Sequence, residues 1–228
     1  MVQYRANGLK KKGKTLSGVG KEKMKKVYAF LADGLEEVEA LMVIDLLRRT
    51  KKLDVVMVSI KDDLMVEGSH GIKIMADTTI DEINFDEGDC IFLPGGIPGT
   101  PNLEACDKLI EEIKKYNEQG KLLAAICAAP TIYSHLGLLK DKKATSYPTF
   151  EDEFECKEYG GRVVRDANFI TGRGLGVALE EGLEIISYLV DEDTAKQVAD
   201  AIQVWYNNCL RAPLFMGIII KNISSKTC

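Results

Sequence analysis

Short runs of β-branched and aliphatic residues alternate with longer amphipathic patterns along most of the chain. This alternation is typical of βαβ units, which build a mainly parallel sheet with helices on both faces. The predicted strands cover residues 25–31, 53–60, 89–93, 122–126, 144–146, 162–164 and 168–171. The predicted helices cover residues 36–50, 102–119, 177–190 and 194–206. The pattern therefore predicts an α/β fold around a mainly parallel central sheet.

One segment departs from this alternation. Residues 64–76 form a short stretch punctuated by Gly68 and Gly71, which is typical of a β-hairpin. We expect this hairpin to be added to the sheet, and the parallel pattern resumes after it.

Three predicted strands end in sequences that favour a binding site. Ligands of open parallel sheets bind beyond the carboxyl ends of the strands. The first strand runs into residues 33–39, another into the Pro-Gly-Gly of residues 94–96, and the most apolar strand into Cys127. Pro130 suits the first turn of a helix, so it places the switch from strand to helix at Cys127.

Charge is distributed unevenly along the chain. The net charge of -5 hides nine Lys or Arg and a single Glu within residues 1–26. The acidic remainder argues against nucleic acid as a partner. We interpret residues 1–23 as a disordered basic leader, with an RNA- or membrane-touching arm as the alternative, residues 24–207 as one domain, and residues 208–228 as a tail.

No apolar run approaches the roughly 20 residues that span a bilayer, and the N-terminus lacks the apolar stretch of a secretory signal. We expect a cytoplasmic protein with no membrane partner. The six cysteines form no Cys-x-x-Cys motif, so neither a metal site nor a disulfide framework is expected. They lie at positions 90, 106, 127, 156, 209 and 228.

Cys127 is the first candidate for chemistry. At the start of a helix, backbone N–H groups point at the sulfur and favour the thiolate, which is the nucleophilic form. The alternative is that a cysteine ending an apolar strand is simply a small buried hydrophobe. The position at a strand-to-helix turn, which exposes a side chain at the top of the sheet, favours the nucleophile.

Glu39 is the second candidate, because its neighbours on a helix are all apolar. A carboxylate on a buried stripe is costly unless it is protonated or partnered. Glu37 shares this pattern in part, so the spacing alone leaves both open. The apolar neighbours of Glu39 are Leu35, Met42, Val43 and Leu46.

Backbone and histidine candidates complete this set. Gly95 and Gly96 have no side chains, so their N–H groups can approach an oxyanion closely, although most Gly-Gly pairs are only turns. His135 lies eight residues beyond Cys127, about 12 Å along a helix at 1.5 Å per residue, and cannot contact the sulfur. A Cys-His dyad therefore lacks its base unless His70 reaches the site from the hairpin or from a second subunit.

Four motifs together are specific for one family. They are Leu31-Ala32-Asp33-Gly34-Leu35-Glu36-Glu37-Val38-Glu39, Leu93-Pro94-Gly95-Gly96, Ala124-Ala125-Ile126-Cys127-Ala128-Ala129-Pro130 and Thr171-Gly172-Arg173-Gly174. From about Met24 to Tyr206 the chain resembles the ThiJ/PfpI superfamily, specifically its DJ-one branch.

The resemblance implies a flavodoxin-like sandwich, a homodimer, and no cofactor. It also implies an oxidisable nucleophile at Cys127, an acidic partner at Glu39, and an oxyanion site made by the N–H groups of Gly96 and Ala128. Many members carry a His where this chain has Tyr147, so Glu39 is left as the proton-transfer group. The peptidase-like and chaperone-hydrolase branches have His directly after the cysteine, whereas this chain has Ala128, so peptidase activity is not expected.

The same resemblance makes Tyr147, Arg173 and, through hairpin packing across a dimer, His70 candidate neighbours of the site. It implies a cofactor-free glyoxalase- or deglycase-like activity on small 2-oxoaldehydes such as methylglyoxal, or on their adducts. The rival hypothesis is a non-enzymatic redox sensor or chaperone that uses oxidation of Cys127.

Overall fold

The structure is a computed structural model, and it describes residues 23–204. The strands are β1 (Lys25–Leu31), β2 (Leu53–Ser59), β3 (Met65–Glu67), β4 (Lys73–Met75), β5 (Thr78–Thr79), β6 (Cys90–Leu93), β7 (Leu122–Ile126), β8 (Lys143–Ala144), β9 (Glu158–Tyr159), β10 (Val163–Asp166) and β11 (Phe169–Gly172). The α-helices are α1 (Glu37–Arg49), α2 (Gly99–Glu104), α3 (Asp107–Glu118), α4 (Pro130–His135), α5 (Ala178–Leu189) and α6 (Glu192–Ala201). Short 3₁₀ helices cover Phe85–Glu87, Pro148–Glu153 and Leu175–Val177.

Seven strands form the central sheet in the order β10-β11-β7-β6-β1-β2-β5. Every neighbouring pair is parallel except β10 with β11. Two apolar cores cover its faces, one packed with α1, α5 and α6 and the other with α2, α3 and α4. The flavodoxin-like α/β prediction is therefore confirmed.

The apolar pattern of β7 explains its central place. All five of its residues are buried, as expected for a parallel strand covered by helices on both faces. Helix α1 begins after Glu36, whose carboxylate accepts the N–H of Glu39 at 2.6 Å and so caps the first turn. This cap fixes where α1 begins, and so where its first two glutamates point.

Three details of the predicted elements were wrong. The segment predicted as one helix over 102–119 is two helices, because Cys106 has an extended backbone between α2 and α3. The hairpin β3–β4 forms its own two-stranded sheet instead of joining the central one. The strand predicted at 144–146 is β8, which pairs with β9 outside the central sheet.

The predictions for the two ends of the chain are tested only in part. The last helix was predicted to reach residue 206, but α6 ends at Ala201. The predicted tail, and all but the last residue of the predicted leader, lie outside the described residues. Across residues 23–204, each helix is too short or too polar to cross a bilayer.

Candidate active site

The carboxyl ends of three adjacent strands lie at one level. Leu93 of β6 pairs with Ala125 of β7, and Gly172 of β11 pairs with Ile126 of β7. The residues that follow these strands therefore emerge side by side at one edge of the sheet. The sequence predicted this meeting of residues 94–96 with Cys127.

Cys127 occupies a sharp turn between β7 and α4. Its φ is 64°, in the left-handed region that non-glycine residues seldom adopt. Neighbouring backbone holds it there, because its N–H donates to Gly172 O at 2.9 Å and its carbonyl accepts the N–H of Tyr147 at 2.7 Å. Strained backbone of this kind presents a side chain at the top of a sheet.

Glu39 approaches Cys127 from α1. Its carboxylate is buried, accepts the N–H of Gly95 at 3.1 Å, and is hydrogen-bonded to the Cys127 side chain. The N–H of Leu175 also faces it. The structure thus brings together the two side chains that the sequence singled out.

Gly95 separates these two side chains. A Cβ on Gly95 would lie 2.6 Å from the Cβ of Cys127, 2.7 Å from Oε2 of Glu39 and 2.9 Å from the carbonyl oxygen of Ile126. No side chain fits there without moving the pair. A glycine at position 95 is therefore needed for Cys127 and Glu39 to approach each other. From the sequence, the N–H of Gly95 was expected to be available to an oxyanion, but it donates to Glu39 instead.

The pKa of Glu39 is shifted to the neutral range. Burial raises it to about 7, although the hydrogen bond from Cys127 and the N–H groups of Gly95 and Leu175 act to lower it. The charge of nearby Glu36 adds to the rise. A carboxyl group with such a pKa can both accept and return a proton near pH 7.

Cys127 does not match the expected thiolate. Burial raises the pKa of its thiol to about 12, and the charge and hydrogen bond of Glu39 add to the rise. The N–H groups of Ala128 and Gly96 face the sulfur and lower the pKa, as predicted, but they are outweighed. Above pH 7 the resting pair is therefore mainly a thiol that donates to a carboxylate, and below pH 7 Glu39 is mainly protonated.

Two other predicted neighbours differ in their positions. Tyr147 borders the site: a Cβ on Gly174 would lie 3.3 Å from Cδ2 of Tyr147 and 4.0 Å from the sulfur of Cys127. Arg173 has an exposed side chain, and its backbone N–H binds Arg162 O at 2.9 Å. Of these two residues, Tyr147 therefore borders the sulfur, whereas the side chain of Arg173 is exposed to solvent.

His70 contacts Glu37. Its Nδ1 lies 2.8 Å from Oε2 of Glu37, and its backbone N–H donates to Oε1 at 2.7 Å. Glu36, Glu37 and His70 place potential metal-ligating atoms within 4.8 Å of one another. These hydrogen bonds already occupy the Glu37 carboxylate, which anchors the hairpin β3–β4 to α1. His135, as expected, is remote from the thiol and pairs with Glu104 at 2.7 Å.

Glu181 was missed by the sequence analysis. It is fully buried in α5, and neither of its carboxylate oxygens has a hydrogen-bond partner among residues 23–204. Its Oε2 lies against Gly172, whose carbonyl holds Cys127, and burial followed by the charge of Glu39 raises its pKa well above the ordinary value. The sequence did contain a signal for its burial, because Ala178 and Ile185 lie three residues before and four residues after it on the same helix face, and both are apolar.

Comparison with known proteins gives the family. Residues 25–188 match the profile of the DJ-1/PfpI family. The chain belongs to the DJ-1/PfpI family. The resemblance drawn from the four motifs is therefore confirmed.

Individual relatives support this assignment. Protein DJ-1 homolog B of Arabidopsis thaliana is 36% identical over 188 residues, which cover 81% of this chain and 43% of that protein. Protein dj-1beta of Drosophila melanogaster is 32% identical over 187 residues, covering 80% of this chain and 99% of the relative. The solved structure of oxidized Toxoplasma gondii DJ-1 has a TM-score of 0.76 at 36% identity, and the match covers 80% of this chain and 100% of that one. The chain thus spans less than half the length of the Arabidopsis relatives it matches.

Proposed function

We propose that this protein is a cofactor-free, glyoxalase- or deglycase-like enzyme that acts on small 2-oxoaldehydes or their adducts, with Cys127 as nucleophile and Glu39 as acid and base. The observation that carries the proposal is the hydrogen-bonded pair itself. A thiol at a strained turn donates to a buried carboxylate whose pKa burial raises to about 7. Its family includes proteins with enzymatic activity.

The first step is addition to the aldehyde. The sulfur of Cys127 bonds to the aldehyde carbon while the thiol proton passes to the Glu39 carboxylate. The aldehyde oxygen gains negative charge, and the N–H groups of Gly96 and Ala128, which face the sulfur, stabilise it. Glu39 then returns its proton to that oxygen, which gives a hemithioacetal and regenerates the carboxylate.

The second stage is an internal oxidation and reduction. Glu39 removes the hydrogen of the former aldehyde carbon as a proton, and the electron pair forms an enediolate with the neighbouring carbonyl. Glu39 returns this proton to the neighbouring carbon, and the hydroxyl proton on the former aldehyde oxygen passes to the neighbouring oxygen, which gives a thioester and a new alcohol and regenerates the carboxylate. Water cleaves the thioester, so methylglyoxal plus water yields lactate and the free thiol without an external redox partner.

Two variants test the proposal by lactate formation from methylglyoxal. Cys127→Ala should lose both adduct and turnover, and it serves as the blank for the slow reaction of methylglyoxal with the 30 Lys and Arg side chains. Glu39→Gln should lose nearly all turnover while the sulfur still forms an adduct. It should also lower the pKa of Cys127, because the neighbouring charge disappears. If Cys127→Ala forms lactate at the unmutated rate, the enzyme hypothesis is wrong.

A redox sensor or chaperone is the second candidate function. The solved Toxoplasma relative is described as oxidized, and in this chain Cys127 is partly exposed beside an acid that can hydrogen-bond an oxidised sulfur. Mild peroxide followed by peptide mass spectrometry tests it. Preferential oxidation of Cys127 together with peroxide-dependent holdase activity, and no turnover, would favour the sensor.

We also propose a homodimer. Exposed apolar side chains lie on α1 and on the hairpin that Glu37 binds to it, which supports a self-association surface. They are Val38, Leu41, Ile72 and Met75. A monomer in sedimentation at micromolar concentration would refute the dimer, and with it any approach of His70 to a partner's thiol.

A further inference from the structure

Three residues with large, exposed apolar side chains adjoin the Cys127–Glu39 pair through their backbone. Ile97 is 57% exposed, Leu175 is 49% exposed and Tyr147 is 47% exposed. We call these three residues the apolar rim. Single exposed apolar side chains are ordinary on a protein surface, but three at the mouth of one site call for a common explanation.

Each rim residue is tied to the reacting pair by backbone. The N–H of Tyr147 donates to Cys127 O at 2.7 Å. The N–H of Leu175 faces the carboxylate of Glu39, and Ile97 directly follows Gly96, whose N–H faces the sulfur. Three separate segments of the chain therefore bring the backbone of an exposed apolar residue next to the same small site.

The rim and the floor of the site differ in chemistry. The floor offers a carboxylate, a thiol and the N–H groups of Gly96 and Ala128, all suited to a carbonyl group and its proton. At the edge, the ring of Tyr147 and the sulfur of Cys127 both lie within 4.0 Å of the place where a Gly174 Cβ would be. The ring therefore lies within reach of a substituent on a carbon bound to the sulfur.

We propose that the apolar rim selects 2-oxoaldehydes that carry an aryl or branched-alkyl arm over glyoxal, which has none. This inference rests on the proposed function, because it assigns the substrate class of the same site. The carbonyl oxygen binds the floor, and the arm covers rim side chains that otherwise face water. Burial of apolar area on both partners provides the preference.

The test compares kcat/KM for phenylglyoxal with kcat/KM for glyoxal, after subtraction of the Cys127→Ala blank. Tyr147→Ser and Leu175→Ser should each lower the phenylglyoxal-to-glyoxal ratio about tenfold, in line with the loss of one well-placed apolar contact. Met24→Ser is the matched control, since Met24 is also an exposed apolar residue but precedes β1 at the opposite edge of the sheet. It should leave the ratio unchanged.

A second readout separates the two proposals. Phenylglyoxal should protect Cys127 from alkylation at lower concentration than glyoxal does, and this protection requires no turnover. The rim variants should lose this difference between phenylglyoxal and glyoxal. If they lose it and the unmutated protein shows no turnover, selection by the apolar rim is supported and the proposed enzyme function is rejected. If the protein shows turnover but the phenylglyoxal-to-glyoxal ratio is the same in all variants, selection by the apolar rim is wrong and the enzyme function stands. A change in sedimentation of the rim variants, with the ratio intact, would also overturn it, because the rim would then cover a second copy.

Discussion

Glu37 and Glu39 lie two residues apart on α1, and each is 1% exposed, yet their pKa values are shifted in opposite directions. Burial alone would raise both. At Glu37 the His70 side chain and backbone N–H groups overcome burial and hold the pKa at about 2, whereas at Glu39 burial prevails and raises it to about 7. The comparison teaches that two carboxylates with equally little exposed surface can differ in role, because Glu37 lies beside an exposed His70 that binds it whereas Glu39 lies deeper, where desolvation outweighs its partners.

Each of these carboxylates packs against a glycine, Glu39 against Gly95 and Glu37 against Gly68. Substituting these two glycines should give the largest difference in activity. Gly95→Ala should reduce kcat/KM for methylglyoxal by at least about 100-fold, because its Cβ would collide with Cys127 and Glu39. Gly68→Ala would instead press on Glu37, and should loosen the hairpin with much less effect on kcat/KM. Gly176→Ala is the control, because a Cβ there meets none of the described residues within 4 Å. Equal losses at Gly68 and Gly95 would erase the distinction.

The pH dependence of activity provides the next test. The carboxylate of Glu39 that accepts the thiol proton is present above its pKa of about 7 and is lost as the pH falls through that value. We expect kcat/KM to fall about tenfold per pH unit below the inflection and to level off above it. Glu37, with a pKa of about 2, should add no inflection near neutrality. Glu39→Gln should remove the inflection from the residual rate, and its persistence there would assign it to another group.

Stability should respond to the other carboxylate. Glu37→Ala should lower the free energy of unfolding by about 2–4 kcal/mol at pH 7, because two backbone N–H groups of the hairpin lose their charged acceptor. Since the pKa of Glu37 is lowered, its stabilisation is present above the ordinary value of 4.5 and is lost as the pH falls toward 2. Urea unfolding at pH 7 and pH 3 measures both effects. A variant as stable as the unmutated protein at pH 7 would contradict the anchoring role.

The smallest expected effect comes from Glu181, whose carboxylate finds no hydrogen-bond partner in the part of the chain that the structure describes. Glu181→Met, similar in length, should raise the free energy of unfolding by about 1–3 kcal/mol at pH 7, because an unpaired buried polar group is removed. Since the pKa of Glu181 is raised in the folded protein, its ionisation in the unfolded chain costs stability as the pH rises above the ordinary value of 4.5. The variant should therefore show a flatter stability profile from pH 5 to pH 8. Loss of stability would mean that Glu181 has a partner.

The elements of the fold were largely predictable, because apolar periodicity reports which face of a strand or helix is buried. The pattern identified β7 and the turn at Cys127 to within a residue. It failed at Cys106, where apolar spacing continues across a break in the backbone, and at the hairpin, whose pairing depends on contacts distant in sequence. The spacing likewise left Glu37 and Glu39 open as alternatives.

By itself the sequence determined the family, the parallel sheet and the presence of Cys127 and an acid at one sheet edge, because these depend on local periodicity and on motifs that adjoin strand ends. Only the tertiary structure decided which acid meets the thiol and which binds His70. It also decided that burial and the Glu39 charge outweigh the helix N–H groups at Cys127. The reason is that pKa values depend on desolvation and on partners from other segments, and neither is encoded in the spacing of residues along one helix.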